Sequence, residues 1–109
     1  MHFEPADDPT LFPTTEGWLN SVQNGPRGAD GDDFLQFGQA LTANGFKRVF
    51  HLAREDFTVG ELRQVCGNEK ITEGLARTLL DYAKRDTAKI VQEETHRRKR
   101  QRKEPRRYN

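Results

Sequence analysis

Residues 44–83, NGFKRVFHLAREDFTVGELRQVCGNEKITEGLARTLLDYA, carry four helix boundary signals in forty residues. Asn44-Gly45 tolerates the left-handed backbone of a helix stop. Thr58-Val59-Gly60-Glu61 is a capping box, in which the threonine oxygen accepts the Glu61 amide and the glutamate reaches back. Phe57 precedes that cap and Leu62 stands at the staple position. Gly67 is a second stop, and Thr72 is placed to cap a further helix. Apolar residues between these signals recur at helical period: Val49, Phe50 and Leu52 in a short segment over 47–53, then Leu75, Leu79, Tyr82 or Ala83, and Ile90. A chain punctuated in this way has little room for a sheet, and no β-type alternation or internal repeat occurs elsewhere.

The core depends on this stretch because the remainder is polar. Of 109 residues, 33% are hydrophobic and 32% are charged, a composition that supports one small domain with solvated ends. Before the stretch, Trp18, Leu19 and Val22 suit a short helix over 16–22, capped by Thr14 or Thr15. The loop QNGPRGADGD follows. Asp32 or Asp33 then caps a helix whose broad apolar face holds Phe34, Leu35, Phe37, Gly38 and Leu41. The predicted organisation is therefore a flexible, proline-containing segment at 1–15, a helical bundle at 16–90, and a basic tail at 91–109. The tail is partly helical or disordered, and Pro105 ends any helix in it. In the first segment Pro5, Pro9 and Pro13 favour extended backbone, while Phe3, Leu11 and Phe12 are candidates to dock on the bundle.

The net charge of +1 conceals a segregation. Residues 1–94 hold 10 basic and 16 acidic groups, a balance of −6, and residues 95–109 hold 8 basic and 1 acidic, a balance of +7. Arg97, Arg98, Lys99, Arg100, Arg102, Lys103, Arg106 and Arg107 make the tail a candidate contact for a nuclear import receptor, a nucleic acid or another polyanion, or else a solubilising end. No aromatic interrupts the run before Tyr108, so base stacking is not indicated. The lone Cys66 excludes an internal disulfide. Three scattered histidines, His2, His51 and His96, make no metal constellation, and no cofactor is expected. His51 reads as a partly buried structural residue. Asp30-Gly31-Asp32-Asp33 lacks the later acidic ligand of a calcium loop, because Leu41 stands there. No paired carboxylates, triad or phosphate-cradling loop suggests an enzyme. The absence of an apolar run of about 18 residues argues against a membrane span, and no secretory signal opens the chain. A cytoplasmic or nuclear location is expected.

The order of these signals resembles the sterile alpha motif (SAM) domain, an all-α five-helix bundle. The likeness runs from Trp18 to about Ala88, roughly two-thirds of the chain. Trp18-Leu19 is similar to the family's tryptophan–leucine pair, and residues 34–46 resemble its stretch ending in asparagine, glycine and an apolar residue. Val49 and Leu52, then Glu55-Asp56-Phe57-Thr58 and Glu61-Leu62, resemble its leucine–acidic–acidic–apolar signature. Val65-Cys66-Gly67 is similar to its leucine–glycine–isoleucine turn, and Gly74 opens the last helix with Leu79 and Leu80 as core residues. Two features depart from the family pattern: the arginine near that helix start is displaced to Arg77, and the loop after Val22 is long.

What the resemblance implies is non-enzymatic protein–protein association, with the chain itself or another SAM-like domain as partner. It takes no small-molecule substrate and no membrane. In such domains an acidic mid-bundle surface meets the amino end of the last helix of the next copy. By that likeness Glu55, Asp56 and Glu61 form the acidic surface, and Lys70, Thr72, Gly74 and Arg77 form the helix-end surface. The competing reading is a nucleic-acid-binding protein that uses tail and bundle together.

Overall fold

The Thr14 hydroxyl accepts the Gly17 amide at 3.1 Å, and this cap starts the first helix, α1 (Thr15–Asn24). The computed structural model describes residues 9–103, with side chains described through Arg98. Phe3, His2, Pro105, Arg106, Arg107 and Tyr108 lie outside the described residues. Four more α-helices follow: α2 (Gly38–Ala43), α3 (Val49–Leu52), α4 (Val59–Cys66) and α5 (Glu73–Lys103). Among the described residues the fold is all-helical, with no strand and a single isolated bridge between Thr14 and Arg48.

Trp18, Leu19 and Val22 bury one face of α1 against Leu41, Val49, Leu52, Leu62, Leu79 and Leu80 in a common core. Gly38 sits where α2 meets α1. A Cβ there would lie 2.8 Å from Glu16 Cγ and 3.5 Å from Glu16 Cα, so a larger residue would have to displace the exposed Glu16 side chain. The expected caps of this region are corrected by the structure. Asp32 and Asp33 are exposed and neither caps a helix; the segment begins instead as a 3₁₀ turn, Leu35–Phe37, with no side-chain cap of its own. The Leu35 amide is taken at 2.8 Å by Gln23 Oε1, from α1. A long-range acceptor has replaced the local one, which fastens the far end of the loop to α1.

The punctuation of residues 44–83 is present as read. Asn44 caps the end of α2, and Gly45 follows with φ +94°. Thr58 and Glu61 form the reciprocal box at the start of α4, with both backbone bonds at 3.2 Å. Gly67 stops α4 at φ +100°, a conformation that side-chain-bearing residues rarely adopt. Arg63 then clamps the turn, donating from Nε to the Ile71 carbonyl at 3.0 Å and from Nη2 to the Asn68 carbonyl at 3.1 Å. Thr72 accepts the Leu75 amide through its hydroxyl at 3.2 Å and opens α5. The buried stripe of α5 is Ala76, Leu79, Leu80 and Ala83, flanked by half-buried Leu75, Tyr82, Ile90 and Val91.

The proline-bearing segment before α1 joins the core. Phe12 is buried, its ring 4.8 Å from that of Phe50. Full burial of such a side chain is worth about 1.5–3 kcal/mol. After a 3₁₀ turn at Pro9–Leu11, the chain is extended at Thr14, which bridges Arg48, and this short stretch lies beside residues 46–49. The Val49 amide donates to the Pro13 carbonyl (3.2 Å), the Thr15 amide to the Lys47 carbonyl (2.9 Å), and Arg48 Nη1 to the Phe12 carbonyl (2.9 Å). The Thr15 hydroxyl bonds the Phe46 carbonyl. The extended backbone expected from the prolines is not found at Pro9, which opens the 3₁₀ turn; Pro13 has no amide to donate, but its carbonyl accepts.

Candidate functional site

The turn between α3 and α4 is set by the Thr58 box, which leaves Arg54, Glu55 and Asp56 exposed just before it. Asp56 and Glu61 line a shallow depression of about 270 Å³ with Phe46, His51, Arg54 and Phe57. Phe46 and Phe57 form its floor, with ring centroids 4.5 Å apart. Glu55 is exposed but does not line the depression. Glu61 Oε1 accepts from both the amide and the hydroxyl of Thr58, so that carboxylate is partly committed to the cap. Asp56 has no bonded partner among the described residues and is the freer acid. The depression also holds base: Arg54 lies in it, and burial, then Arg54, push His51 below the ordinary imidazole value. His51 Nδ1 accepts the Arg48 amide at 3.1 Å, which fixes the ring as part of the α3 start.

The amino end of α5 forms a second depression, of about 280 Å³, which shares no lining residue with the first. Thr72 and Gly74 line it. The Leu75 and Ala76 amides bond to Thr72, while the Glu73 and Gly74 amides have no acceptor among the described residues. Nothing lies within 4 Å of a Cβ placed on Gly74, so the helix end is open. Such an end carries partial positive charge and suits an anion. Asp30 and Asp32, from the loop after α1, line the same depression. Arg27 lines it too, so the helix end shares its depression with two acids and one base of its own chain. Lys70 lays its stem over Gly67, outside this lining, and Arg77 is exposed and paired with Glu73 at 3.4 Å. Of the residues expected at the helix end, Thr72 and Gly74 are brought together, whereas Lys70 and Arg77 stand beside them.

What holds the loop near α5 has no local sequence signal. Asp86 receives the Trp18 indole N–H at 2.7 Å and both terminal nitrogens of Arg27, at 2.8 and 3.0 Å. The Arg27 guanidinium also lies 4.3 Å over the Tyr82 ring. These partners are 59 and 68 residues apart in sequence.

Of the basic run, Arg97 and Arg98 converge on Glu94. Arg97 Nε reaches Oε2 at 3.0 Å with Nη2 on Oε1, and Arg98 Nε reaches Oε1 at 3.0 Å. Glu94 is only 8% exposed, although it lies beyond the buried stripe. Arg97 first, then Arg98, hold its carboxyl below the usual range. Lys99, Arg100, Arg102 and Lys103 continue on helical backbone.

Burial pushes the Cys66 thiol up to about 11, which keeps it protonated at neutral pH. Among the described residues no group of three or more His, Cys, Asp or Glu is placed to hold a metal ion, and no helix is long and apolar enough to cross a membrane. No protein-family model, curated protein or solved structure matches the chain.

Proposed function

We propose that this chain is a non-enzymatic protein–protein interaction module of the sterile alpha motif kind. The acidic depression around Asp56 on one copy meets the amino end of α5 on the next. The observation that carries this reading is the open end of α5: the Glu73 and Gly74 amides are unbonded within the described residues, and the space over Gly74 is empty. A carboxylate delivered there gains two donors and the favourable end of a long helix. Leu35, 41% exposed, is the one large apolar side chain left open to solvent among the described residues, so an apolar patch does not compete as the docking surface. A contact of two unlike surfaces propagates into open chains rather than closing as a dimer. Asp30 and Asp32 share the receiving depression with Arg27, so an incoming carboxylate meets charges of both signs there.

The test is sedimentation velocity of the full chain across concentration. Gly74→Asp fills open space with an acid that suits a helix start, so it keeps the fold and repels the incoming surface. Asp56→Asn removes the acid on the other face without supplying a charge that Gly74→Asp could pair with. Wild type is expected to grow with concentration, each variant alone is expected to stay monomeric, and an equal mixture is expected to stop at the dimer. Asp30→Asn combined with Asp32→Asn is expected to tighten association. A wild type that remains monomeric, or variants that assemble as wild type does, would overturn the reading of these two surfaces.

A further inference from the structure

We propose that the last turns of α5 are a helical contact for the phosphates of a nucleic-acid duplex, and that Glu94 at their root holds two guanidiniums ready and competes with phosphate for them. This inference is independent of the association between bundles.

Its first support is continuity. α5 is one helix from Glu73 to Lys103, and its last side chains packed on the core are Ile90 and Val91. Residues 92–103 contain no apolar side chain, so this part of the helix has no apolar stripe to pack on the bundle. Residues 97–103 hold six cations in seven positions. At a rise of about 1.5 Å per residue they span roughly 10 Å, or about one charge per 1.7 Å. Duplex DNA carries its phosphates at that same density along its axis, about one per 1.7 Å.

The second support is azimuth. Positions 97, 98, 99, 100, 102 and 103 are distributed around the whole helix, at about 100° per residue. A flat acidic protein surface would use only part of that ring. The major groove of B-form DNA, about 12 Å wide, admits one α-helix and sets a phosphate wall against each of its two flanks, so it engages cations on opposite sides of the helix. A receptor that reads the run as an extended strand would first have to unwind it. Cations at the carboxyl end of a helix are also favoured by its dipole.

The third support is Glu94. Two arginines already converge on its carboxylate, one of them as a two-nitrogen fork. This is the arrangement that arginines offer a phosphate, with the carboxylate standing in for it. The balance of −6 over residues 1–94 repels phosphate from the bundle and confines contact to the helix end. With no aromatic in residues 92–103, binding is to the backbone and not to stacked bases.

Fluorescence anisotropy of the full chain with a labelled duplex of about 20 base pairs tests this, with DNA and RNA duplexes as separate arms. If about five phosphates are neutralised, affinity is expected to fall roughly 10²–10³-fold between about 50 and 200 mM salt. Replacing Arg97, Arg98, Lys99 and Arg100 together with Gln, a good helix former, is expected to abolish binding while the thermal midpoint of the bundle is retained. Glu94→Gln is expected to tighten binding several-fold and to steepen the salt dependence, a gain that unfolding cannot produce. Failure of wild type to bind either duplex would overturn the proposal, as would binding that survives the fourfold change. Polyglutamate competing as well as duplex at equal charge would reassign the helix end to acidic proteins. A Glu94→Gln variant that binds no better than wild type would remove the role given to Glu94.

Discussion

Along α5, Ala76, Leu79, Leu80 and Ala83 are buried, whereas after Val91 the same helix runs to Lys103 without an apolar side chain. The first part is helical because the bundle needs its stripe: its neighbours include α3 and α4, and Asp86 ties it to Trp18 and Arg27. The second part has only local supports. These are good helix formers, the clasp of Glu94 on Arg97 and Arg98, and cations at the favoured end of the dipole. Six cations in one short run repel one another, so this half is expected to open more readily than the half inside the bundle. A single helix thus joins a stretch held by tertiary packing to a stretch available to a partner.

The strongest way to break this comparison is Leu79→Ala. Leu79 is fully buried, and its truncation should cost about 2–5 kcal/mol, enough to lower the thermal midpoint of the whole bundle by many degrees. An unchanged midpoint would mean that the first half of α5 is not the core element described. Asp86→Ala comes next, at about 1–3 kcal/mol, because it strands the indole of buried Trp18 and the guanidinium of partly exposed Arg27. Its signature is a shift in Trp18 fluorescence together with the lowered midpoint. The smallest effect belongs to Glu94→Gln. This change should leave the global midpoint in place and loosen only residues after Val91. The sign with pH follows from the lowered carboxyl: the clasp is complete above the ordinary carboxylate range and is lost as pH falls through the lower folded value. Acid should therefore remove helicity from wild type that the Gln variant already lacks. Equal acid responses in the two proteins would show that the clasp does not support the helix.

Which features were legible in the sequence follows the same division between local and distant supports. The Thr58–Glu61 box, the Gly67 stop, the Asn44-Gly45 stop and the Thr72 cap each lie within a few residues, and all are present. The leucines of the core were legible from their period. The capping role expected of Asp32 or Asp33 was not realised, because Gln23, twelve residues before Leu35, supplied the acceptor. Phe12 was visible only as a candidate to dock, since prolines restrict the backbone without saying where it lies, and Pro9 opens a 3₁₀ turn rather than the extended stretch expected. The Trp18–Arg27–Asp86 network spans the chain, and no local pattern encodes such a meeting. At the helix end the residue types were readable. What was not readable is that the α1–α2 loop brings Asp30 and Asp32 into the same depression, or that Arg77 is turned to Glu73.

Hydrogen exchange along α5, followed in dilute protein with and without a nucleic-acid duplex, tests the division between its two parts most directly. The expected map has slow exchange in residues 76–90, at rates set by opening of the bundle, and fast exchange in residues 95–103. Added duplex should slow exchange only in the second stretch. Uniform protection to Lys103 in free dilute protein, or protection by duplex confined to the bundle, would contradict the account.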